Sequence, residues 1–252
     1  MITKILPLFI SKTVQHTQKM LQDNIYLLSP IQQENLLLNL RQSVDPNSQD
    51  TDLIKTDIDF ILEKDPALTH KEPAEVFLYK SLTLTFLHRI AHRIYKQGDT
   101  TSARLLSEIA REMTGAEIHP GVRIGHSIFI DHPMGLVAGE SASIGNYFHG
   151  HGQVILGSDG INNGYKRHPT IGNNVTIWPK AAILGAKTIG DNTIIGSSAV
   201  ITEDVPSNSV VVGYNLLIKE NGIDKRIDLK QYHQEHFAWV QNQLISTQSK
   251  SA

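Results

Sequence analysis

Two pairs of residues in this chain have side chains suited to proton transfer. Asp131 and His132 are adjacent in the segment FIDHPMGLVAGES, and Arg167 and His168 are adjacent in YKRHPTIG. Histidine titrates near neutral pH, so either His132 or His168 could take a proton from an attacking group. A neighbouring carboxylate could fix the tautomer of that histidine and stabilise its charged form. Both pairs are therefore candidates for general acid–base chemistry, and the elements that hold them decide whether they can meet.

The composition excludes several classes of function. The chain has 252 residues and a formal net charge of −2, so charge favours neither nucleic acid nor an anionic membrane as a partner. It has no cysteine, which excludes disulfides, thiolate metal ligands and a cysteine acyl-enzyme. Its apolar N-terminal stretch is broken by Pro7, and no apolar run reaches the about 20 residues of a membrane helix. We expect a soluble cytoplasmic protein.

The residue pattern changes near residue 114. Before it, apolar residues recur at three- and four-residue steps, which is typical of amphipathic helices. Pro73 suits the first turn of one such helix, and Gly98 suits its end. The predicted helices cover residues 31–43, 51–63, 73–98 and 102–113. The pattern therefore predicts an α-helical domain over residues 1–113.

After residue 114 the apolar period becomes six residues. The two apolar runs are Ile118, Ile124, Ile130, Leu136, Ala142, Phe148 and Val154, and then Ile171, Ile177, Ile183, Ile189, Ile195 and Ile201. This period fits neither a helix nor one long strand, but it fits a hexapeptide solenoid of short strands and turns. The register resets across an extruded loop at residues 157–167. The predicted fold class is α+β, with a β-solenoid over residues 114–214 and a tail over 215–252 that is helical in part.

Six short segments resemble the serine O-acetyltransferase family, in the family's order. They are EKDPA, FLHRIAHRIYKQGD, EIHP, IDHPMG, GES and RHP. Hexapeptide repeats alone indicate only the wider acyltransferase superfamily, whereas a helical domain with DPA, followed by the DH and RHP pairs, is more specific. The resemblance implies a left-handed parallel β-helix, assembled as trimers or as hexamers made of two trimers. It also implies acetyl transfer from acetyl-CoA to L-serine in cysteine biosynthesis.

The resemblance assigns roles to the candidate catalytic residues. Acetyl transfer from a thioester to an alcohol needs a base and donors for the developing oxyanion. His132 corresponds to the family's base, Glu117 to its carboxylate partner, and His168 to a second active-site histidine. Because the chain has neither a cysteine nor a GxSxG motif, we expect direct attack in a ternary complex. In a trimer, His132 and His168 would come from adjacent subunits.

The resemblance also assigns substrate-binding residues. Asp65 and Asp131 correspond to the carboxylates that hold the serine ammonium group. Arg167 corresponds to the residue that faces the serine carboxylate, for which a bidentate guanidinium group is apt, and His168 lies beside it. The residues implied in binding acetyl-CoA are Gly157, Ser158, Gly160, Ala182 and Gly185.

Several positions depart from the family pattern. Glu117 replaces an aspartate, and Pro133 removes a backbone donor next to His132. The loop GSDGINNGYK is one residue longer than the family's, has Ser158 in place of a glycine and lacks a loop lysine, which bears on the acyl donor. The family's closing motif is replaced by GYNLL, and the tail ends STQSKSA. We therefore expect no docking onto cysteine synthase through the C-terminus.

Three alternative functions stay open. The first is acetyl transfer to another small alcohol or amine, although Asp65 and Arg167 favour an amino-acid acceptor. The second is a zinc hydratase on the same solenoid, which the histidines of the HGHG segment suggest. His126 and His132 are six residues apart rather than the five of that class, so we expect no metal. The third is a non-catalytic solenoid that binds a partner, and the retained acceptor residues disfavour it.

Overall fold

The computed structural model describes residues 2–68, 73–160, 165–213, 217–220 and 223–226. The helices of this described part are α1 (Ile2–Gln22), α2 (Pro30–Gln42), α3 (Gln49–Lys64), α4 (Lys80–Lys96) and α5 (Thr100–Thr114). Short 3-10 turns lie at Ile25–Leu27, Pro66–Leu68 and Pro73–Leu78. None of the helices in these ranges is long and apolar enough to cross a membrane.

Two features of the helical region differ from the prediction. The helix predicted from Pro73 is interrupted at Tyr79, whose extended backbone (φ −72°, ψ 126°) separates a 3-10 turn from α4. No individual helix was predicted before residue 31, and Pro7 lacks the N–H that a helix interior needs. Helix α1 nevertheless forms around it and buries one apolar face, including Leu6 and Ile10. Tertiary burial of that face therefore outweighs the lost hydrogen bond.

The solenoid consists of three parallel sheets. The first sheet contains β1 (Glu117–Ile118), β4 (Val137–Ala138), β7 (Ile155–Gly157), β10 (Ala182–Leu184) and β13 (Val200–Ile201). The second contains β2 (Arg123–Ile124), β5 (Ser143–Ile144), β8 (Thr170–Ile171) and β11 (Thr188–Ile189). The third contains β3 (Ile128–Asp131), β6 (Phe148–His151), β9 (Thr176–Ile177), β12 (Ile194–Ile195) and β14 (Val210–Val211).

Each coil runs through the first, second and third sheets in turn, so the connections form three edges of a triangular prism. The first edge joins the first sheet to the second, as at residues 139–142. The second edge joins the second sheet to the third, as at residues 145–147. The third edge returns to the first sheet of the next coil, as at residues 132–136. An antiparallel hairpin of β15 (Leu217–Glu220) and β16 (Ile223–Arg226) follows; the helix predicted within the tail, at residues 232–244, lies outside the described residues.

The strand register corrects the six-residue count at one turn. Ile118 pairs with Ala138, and Ile124 pairs with Ile144, so the first coil contains 20 residues. Ile177 and Ile195 pair at the predicted spacing of 18. The two extra residues lie in the third-edge turn 132–136, since only three residues separate β6 from β7 at the corresponding place.

This insertion changes how the first apolar run stacks. Leu136, Ala142, Phe148 and Val154 are buried, as predicted, but Leu136, Ala142 and Phe148 lie two residues before the positions that pair with Ile118, Ile124 and Ile130. The second run, from Ile171 to Ile201, pairs in register throughout. The predicted loop corresponds to a connection of twelve residues between β7 and β8, compared with three between β10 and β11.

The helices cover the open end of the first coil. Strands β1 to β3 have no preceding coil to pair with, and an unpaired strand edge exposes backbone groups. Asp57 Oδ1 accepts from Ile128 N (2.8 Å), and Ser81 Oγ accepts from Ile130 N (2.9 Å). Carbonyls of the same coil accept from Ser107, His88, His92 and Arg89. The helical region therefore acts as a polar cap on the solenoid, in addition to packing against it.

Candidate active site

His132 lies on the enlarged third-edge turn. The two inserted residues carry it away from the coil, and its side chain is 83% exposed. Its backbone is in the left-handed region, with φ 49°. His132 Nε2 lies 3.5 Å from Asp131 Oδ1, the last residue of β3. The turn therefore presents an accessible imidazole beside a carboxylate.

Asp65 and Tyr79 lie close to Asp131. Asp65 follows α3, and its two carboxylate oxygens accept from Ala67 N (2.8 Å) and Tyr79 Oη (2.5 Å). Burial raises the pKa of Tyr79, and the Asp65 and Asp131 carboxylates raise it further. The phenol therefore stays protonated as a donor, and the two carboxylates create a negative field suited to an ammonium group. Together with His132, these residues form the third-edge cluster. Tyr79 was not among the sequence candidates, because the apolar pattern places it inside the helix predicted over residues 73–98.

His168 and Arg167 lie on the first edge, where the long loop returns to β8. His168 is buried, and its ring covers Gly139 so closely that a Cβ there would lie 2.0 Å from Nε2. Burial lowers the pKa of His168, and the positive charges of Arg167 and Lys166 act in the same direction. The ring is therefore neutral at neutral pH. His119 and Glu140 lie on the same edge, and with Arg167 and His168 they form the first-edge cluster.

A cleft of about 530 Å³ opens beside this cluster. Its walls include Arg104 from α5 and the side chains of Tyr95, His119 and Glu140. Tyr95 Oη donates to Glu140 Oε1 (2.8 Å), and this bond is the main cause of a raised Tyr95 pKa. Burial lowers the pKa of His119. The first-edge cluster thus adjoins a space large enough for a small polar molecule.

Glu117 is not in contact with His132 in the described part of the chain. Its carboxylate lies 3.3 Å from Arg104 and 3.6 Å from Arg111. Glu117 is the first residue of β1 and lies near the third edge. Gly135, in the third-edge turn, donates its N–H to the carbonyl of Gly115, which is two residues before Glu117. Its predicted partnership with His132 remains a prediction.

The five residues predicted to bind acetyl-CoA lie together at the base of the loop. Gly157 ends β7, which pairs with β10, and Ala182 begins β10. Ser158 Oγ accepts from Gly160 N (3.1 Å) in the first turn of the loop. Gly185 follows β10 with φ +91°, a conformation that favours glycine. Gly157 and Ala182 therefore lie in the first sheet, and Ser158, Gly160 and Gly185 lie just beyond the first-edge ends of β7 and β10.

The histidines of the HGHG segment form a ring stack on the outer face of the third sheet. His149 stacks on Phe129 (ring centroids 4.7 Å apart), and His151 stacks on Trp178 (4.7 Å). His151 Nδ1 donates to the carbonyl of Ile177 (2.9 Å). Burial, together with the neighbouring His151, lowers the pKa of His149 to about 4. Across the residues that the structure describes, no three His, Asp or Glu side chains are grouped so as to hold a metal ion.

His132 and His168 are separated within one chain. They lie on different edges of the prism, with the width of the first sheet between them. Residues 135–139 span that width, which at about 3.3 Å per residue is on the order of 15 Å. The sequence candidates therefore fall into two half-sites on one chain, each incomplete for a reaction that needs both histidines.

Comparison with known proteins identifies close relatives. Residues 168–203 match the family model described as bacterial transferase hexapeptide (six repeats). The serine acetyltransferase of Bacillus subtilis is 43% identical over 185 residues, which is 73% of this chain and 83% of that protein. The serine acetyltransferase of Synechococcus elongatus is 45% identical over 161 residues, 64% of this chain and 65% of that protein. The crystal structure of Neisseria gonorrhoeae serine acetyltransferase in complex with serine superposes with a TM-score of 0.68 and 33% identity, covering 84% of this chain and 82% of that one.

Proposed function

The chain belongs to the serine acetyltransferase family, and we propose that it transfers the acetyl group of acetyl-CoA to the hydroxyl of L-serine. Its architecture, a helical region followed by a left-handed parallel β-helix, is the predicted one. The products are O-acetylserine, for cysteine biosynthesis, and free CoA. The observation that carries the proposal is the accessible His132 beside Asp131, Asp65 and Tyr79. These groups suit a base and an ammonium site, which together describe an amino-acid alcohol.

In the proposed mechanism His132 acts as the general base. Its Nε2 takes the proton of the serine hydroxyl while the serine oxygen attacks the thioester carbonyl carbon. The carbonyl π electrons move onto oxygen to form a tetrahedral oxyanion, which collapses and expels the CoA thiolate. The thiolate then takes the proton from the His132 imidazolium. Asp131, 3.5 Å from His132 Nε2, favours the transiently charged ring.

The serine zwitterion sets the demands on the acceptor site. The carboxylates of Asp65 and Asp131 match its ammonium group. Asp65 accepts a hydrogen bond from the Tyr79 hydroxyl, and the charge of Asp131 acts on the same hydroxyl. Its carboxylate is matched by the exposed guanidinium of Arg167. Because these groups lie on two different edges of one prism, we propose that neighbouring chains of a trimer supply the two halves. In such a trimer, Glu117 could lie near His132 of its own chain or near His132 of the neighbouring chain.

Acetyl-CoA is proposed to lie along the first sheet. Gly160 is exposed and Gly157 is half-buried at the base of the loop, where a chain-like donor could pass close to the strands. In this proposal residues 1–113 supply Asp65 and Tyr79, and residues 114–214 supply the remaining groups. We place this activity in the cytoplasm, where free thiols and acetyl-CoA coexist.

The test is thiol release from acetyl-CoA by purified protein, with and without serine. We expect serine-dependent release from the wild type, reduced about 10²- to 10⁴-fold in His132→Ala because the base is lost. His16→Ala, on the exposed side of α1, is the matched control and should retain full activity. Release from another alcohol or amine with no response to serine would reject the proposed acceptor. No release with any acceptor, from folded protein, would reject the acetyltransferase activity.

A further inference from the structure

Ser141 makes four hydrogen-bond contacts with the first-edge cluster. Its Oγ accepts from the backbone N–H groups of Arg167 (3.0 Å) and His168 (3.1 Å). The same Oγ lies 2.9 Å from His168 Nδ1, and the backbone N–H of Ser141 donates to that nitrogen at 3.2 Å. Ser141 and His168 are both buried, at 8% and 7% exposure. A serine that served only to cap its own turn would need none of these four contacts.

These contacts determine the tautomer of His168. A backbone N–H can only donate, so His168 Nδ1 must be the acceptor of the bond from Ser141 N. The Ser141 hydroxyl already accepts two N–H groups, which leaves its own proton free to donate to Nδ1. With two donors directed at Nδ1, the single proton of the neutral ring is placed on Nε2.

The surroundings of His168 leave Nε2 available for a substrate. The ring lies over Gly139, where any side chain would collide with it. Within the described ranges of the chain, His168 Nε2 makes no hydrogen bond to protein. Lys166 Nζ donates to the carbonyls of Ser141 (2.8 Å) and Pro169 (3.2 Å), which joins the two segments that hold the ring.

We propose that Ser141 is a positioning residue that holds His168 as the Nε2–H tautomer, so that His168 donates a hydrogen bond to the reactants and does not act as the base. The residue types alone left the role of base open between His132 and His168, the resemblance favoured His132, and these contacts give an independent reason to separate the two roles. The identity of the reacting group rests on the proposed function, whereas the tautomer rests on the contacts alone.

Two isosteric variants test the role of the hydroxyl. Ser141→Thr keeps the hydroxyl, and Ser141→Val has the same shape as threonine without it. We expect the threonine variant to keep activity within about threefold, and the valine variant to lose about tenfold or more in kcat/KM for serine, in line with one lost orienting hydrogen bond. The KM for acetyl-CoA should be the same in both. Equal activity in the two variants would overturn the proposal.

A spectroscopic measurement tests the tautomer independently of activity. The two ring nitrogens of a neutral histidine have different ¹⁵N chemical shifts, and His168 is assigned by its absence from the spectrum of His168→Asn. We expect the protonated nitrogen to be Nε2 in the wild type and in Ser141→Thr, and a mixture of tautomers in Ser141→Val. A proton on Nδ1 in the wild type would overturn the proposal. A wild type with the Nε2–H form but no acetyl transfer would instead reject the proposed function and leave the positioning role standing.

Discussion

The arginines of this chain differ in whether an acidic side chain forms an ion pair with them. In the part of the chain that the structure describes, Arg167 makes no ion pair, and its side chain is exposed. Arg89 and Arg93, in contrast, are paired with Asp57 and Asp50 inside the helical region. The buried arginines therefore have structural partners, whereas the Arg167 guanidinium remains available for a ligand carboxylate.

This availability gives a prediction for Arg167→Lys. Lysine keeps the positive charge but loses the planar pair of donors that binds a carboxylate in two places. We expect the KM for serine to rise about tenfold, with the KM for acetyl-CoA unchanged. Arg41→Lys, on the exposed side of α2, is the matched control and should behave as wild type. An unchanged KM for serine would show that Arg167 does not contact the acceptor carboxylate.

At the scale of elements, one enlarged turn creates the candidate catalytic position. Residues 132–136 replace the three-residue turn of the next coil, and the extra length moves His132 into solvent at a left-handed backbone position. His151, the last residue of β6, instead stacks on Trp178. The insertion is therefore the local feature that lengthens the turn on which the exposed His132 lies.

The cap on the first coil makes stability depend on pH. His88 is buried on α4, and its Nε2 donates to the carbonyl of Val122 (3.1 Å), while Nδ1 has no hydrogen-bond partner among the described residues. Burial lowers the pKa of His88 to about 3, below the value of about 6.5 in an unfolded chain. Protonation therefore favours unfolding. The stabilisation is fully present above about pH 6.5 and is lost as the pH falls towards 3.

We predict that His88→Gln weakens this acid sensitivity. Glutamine can still donate to the Val122 carbonyl, but it takes up no proton on unfolding. Between pH 6 and 5, the free energy of unfolding measured by urea titration should fall less in the variant than in the wild type. The difference should be about 1.4 kcal/mol per pH unit, which corresponds to one proton. His149, with a pKa of about 4, acts in the same direction, so some dependence should remain. The prediction would be contradicted if the free energy of unfolding depended on pH equally in His88→Gln, in the wild type and in the exposed control His16→Gln.

At the scale of the whole molecule, the proposed reaction would require assembly. His132 and Arg167 lie on different edges of one prism, so a single chain presents two halves facing different directions. Closed cyclic symmetry can bring the third edge of each chain to the first edge of its neighbour. If chains share the site in this way, we expect activity to be lost when the protein is diluted into monomers.

Mixed trimers test this arrangement. His132→Ala and Arg167→Ala chains, each inactive alone, are coexpressed with different tags, and assemblies that contain both are purified. Each mixed trimer should contain one site made from two intact halves, which restores about a third of wild-type activity. Assemblies shown to carry both tags but lacking activity would place the complete site within a single chain.

Much of the candidate site was accessible from the sequence, because it follows local patterns. The pairs Asp131–His132 and Arg167–His168 and the loop before them are contiguous segments at repeat boundaries. Tyr79 and Ser141 were missed, since neither residue type is distinctive in its own segment. Tyr79 acts through Asp65, 14 residues away, and Ser141 acts through His168, 27 residues away.

The sequence alone determined the helical region, the solenoid and the position of the loop, because helix and hexapeptide periods depend on spacing along the chain. It could not place α1, whose proline is outweighed by tertiary burial, or the two-residue insertion, which leaves the six-residue count unbroken. The tertiary structure alone decided the cap on the first coil, the tautomer of His168 and the separation of the two histidines onto different edges. Each of these depends on which distant residues the coils stack beside one another, and a spacing pattern carries no information about those contacts.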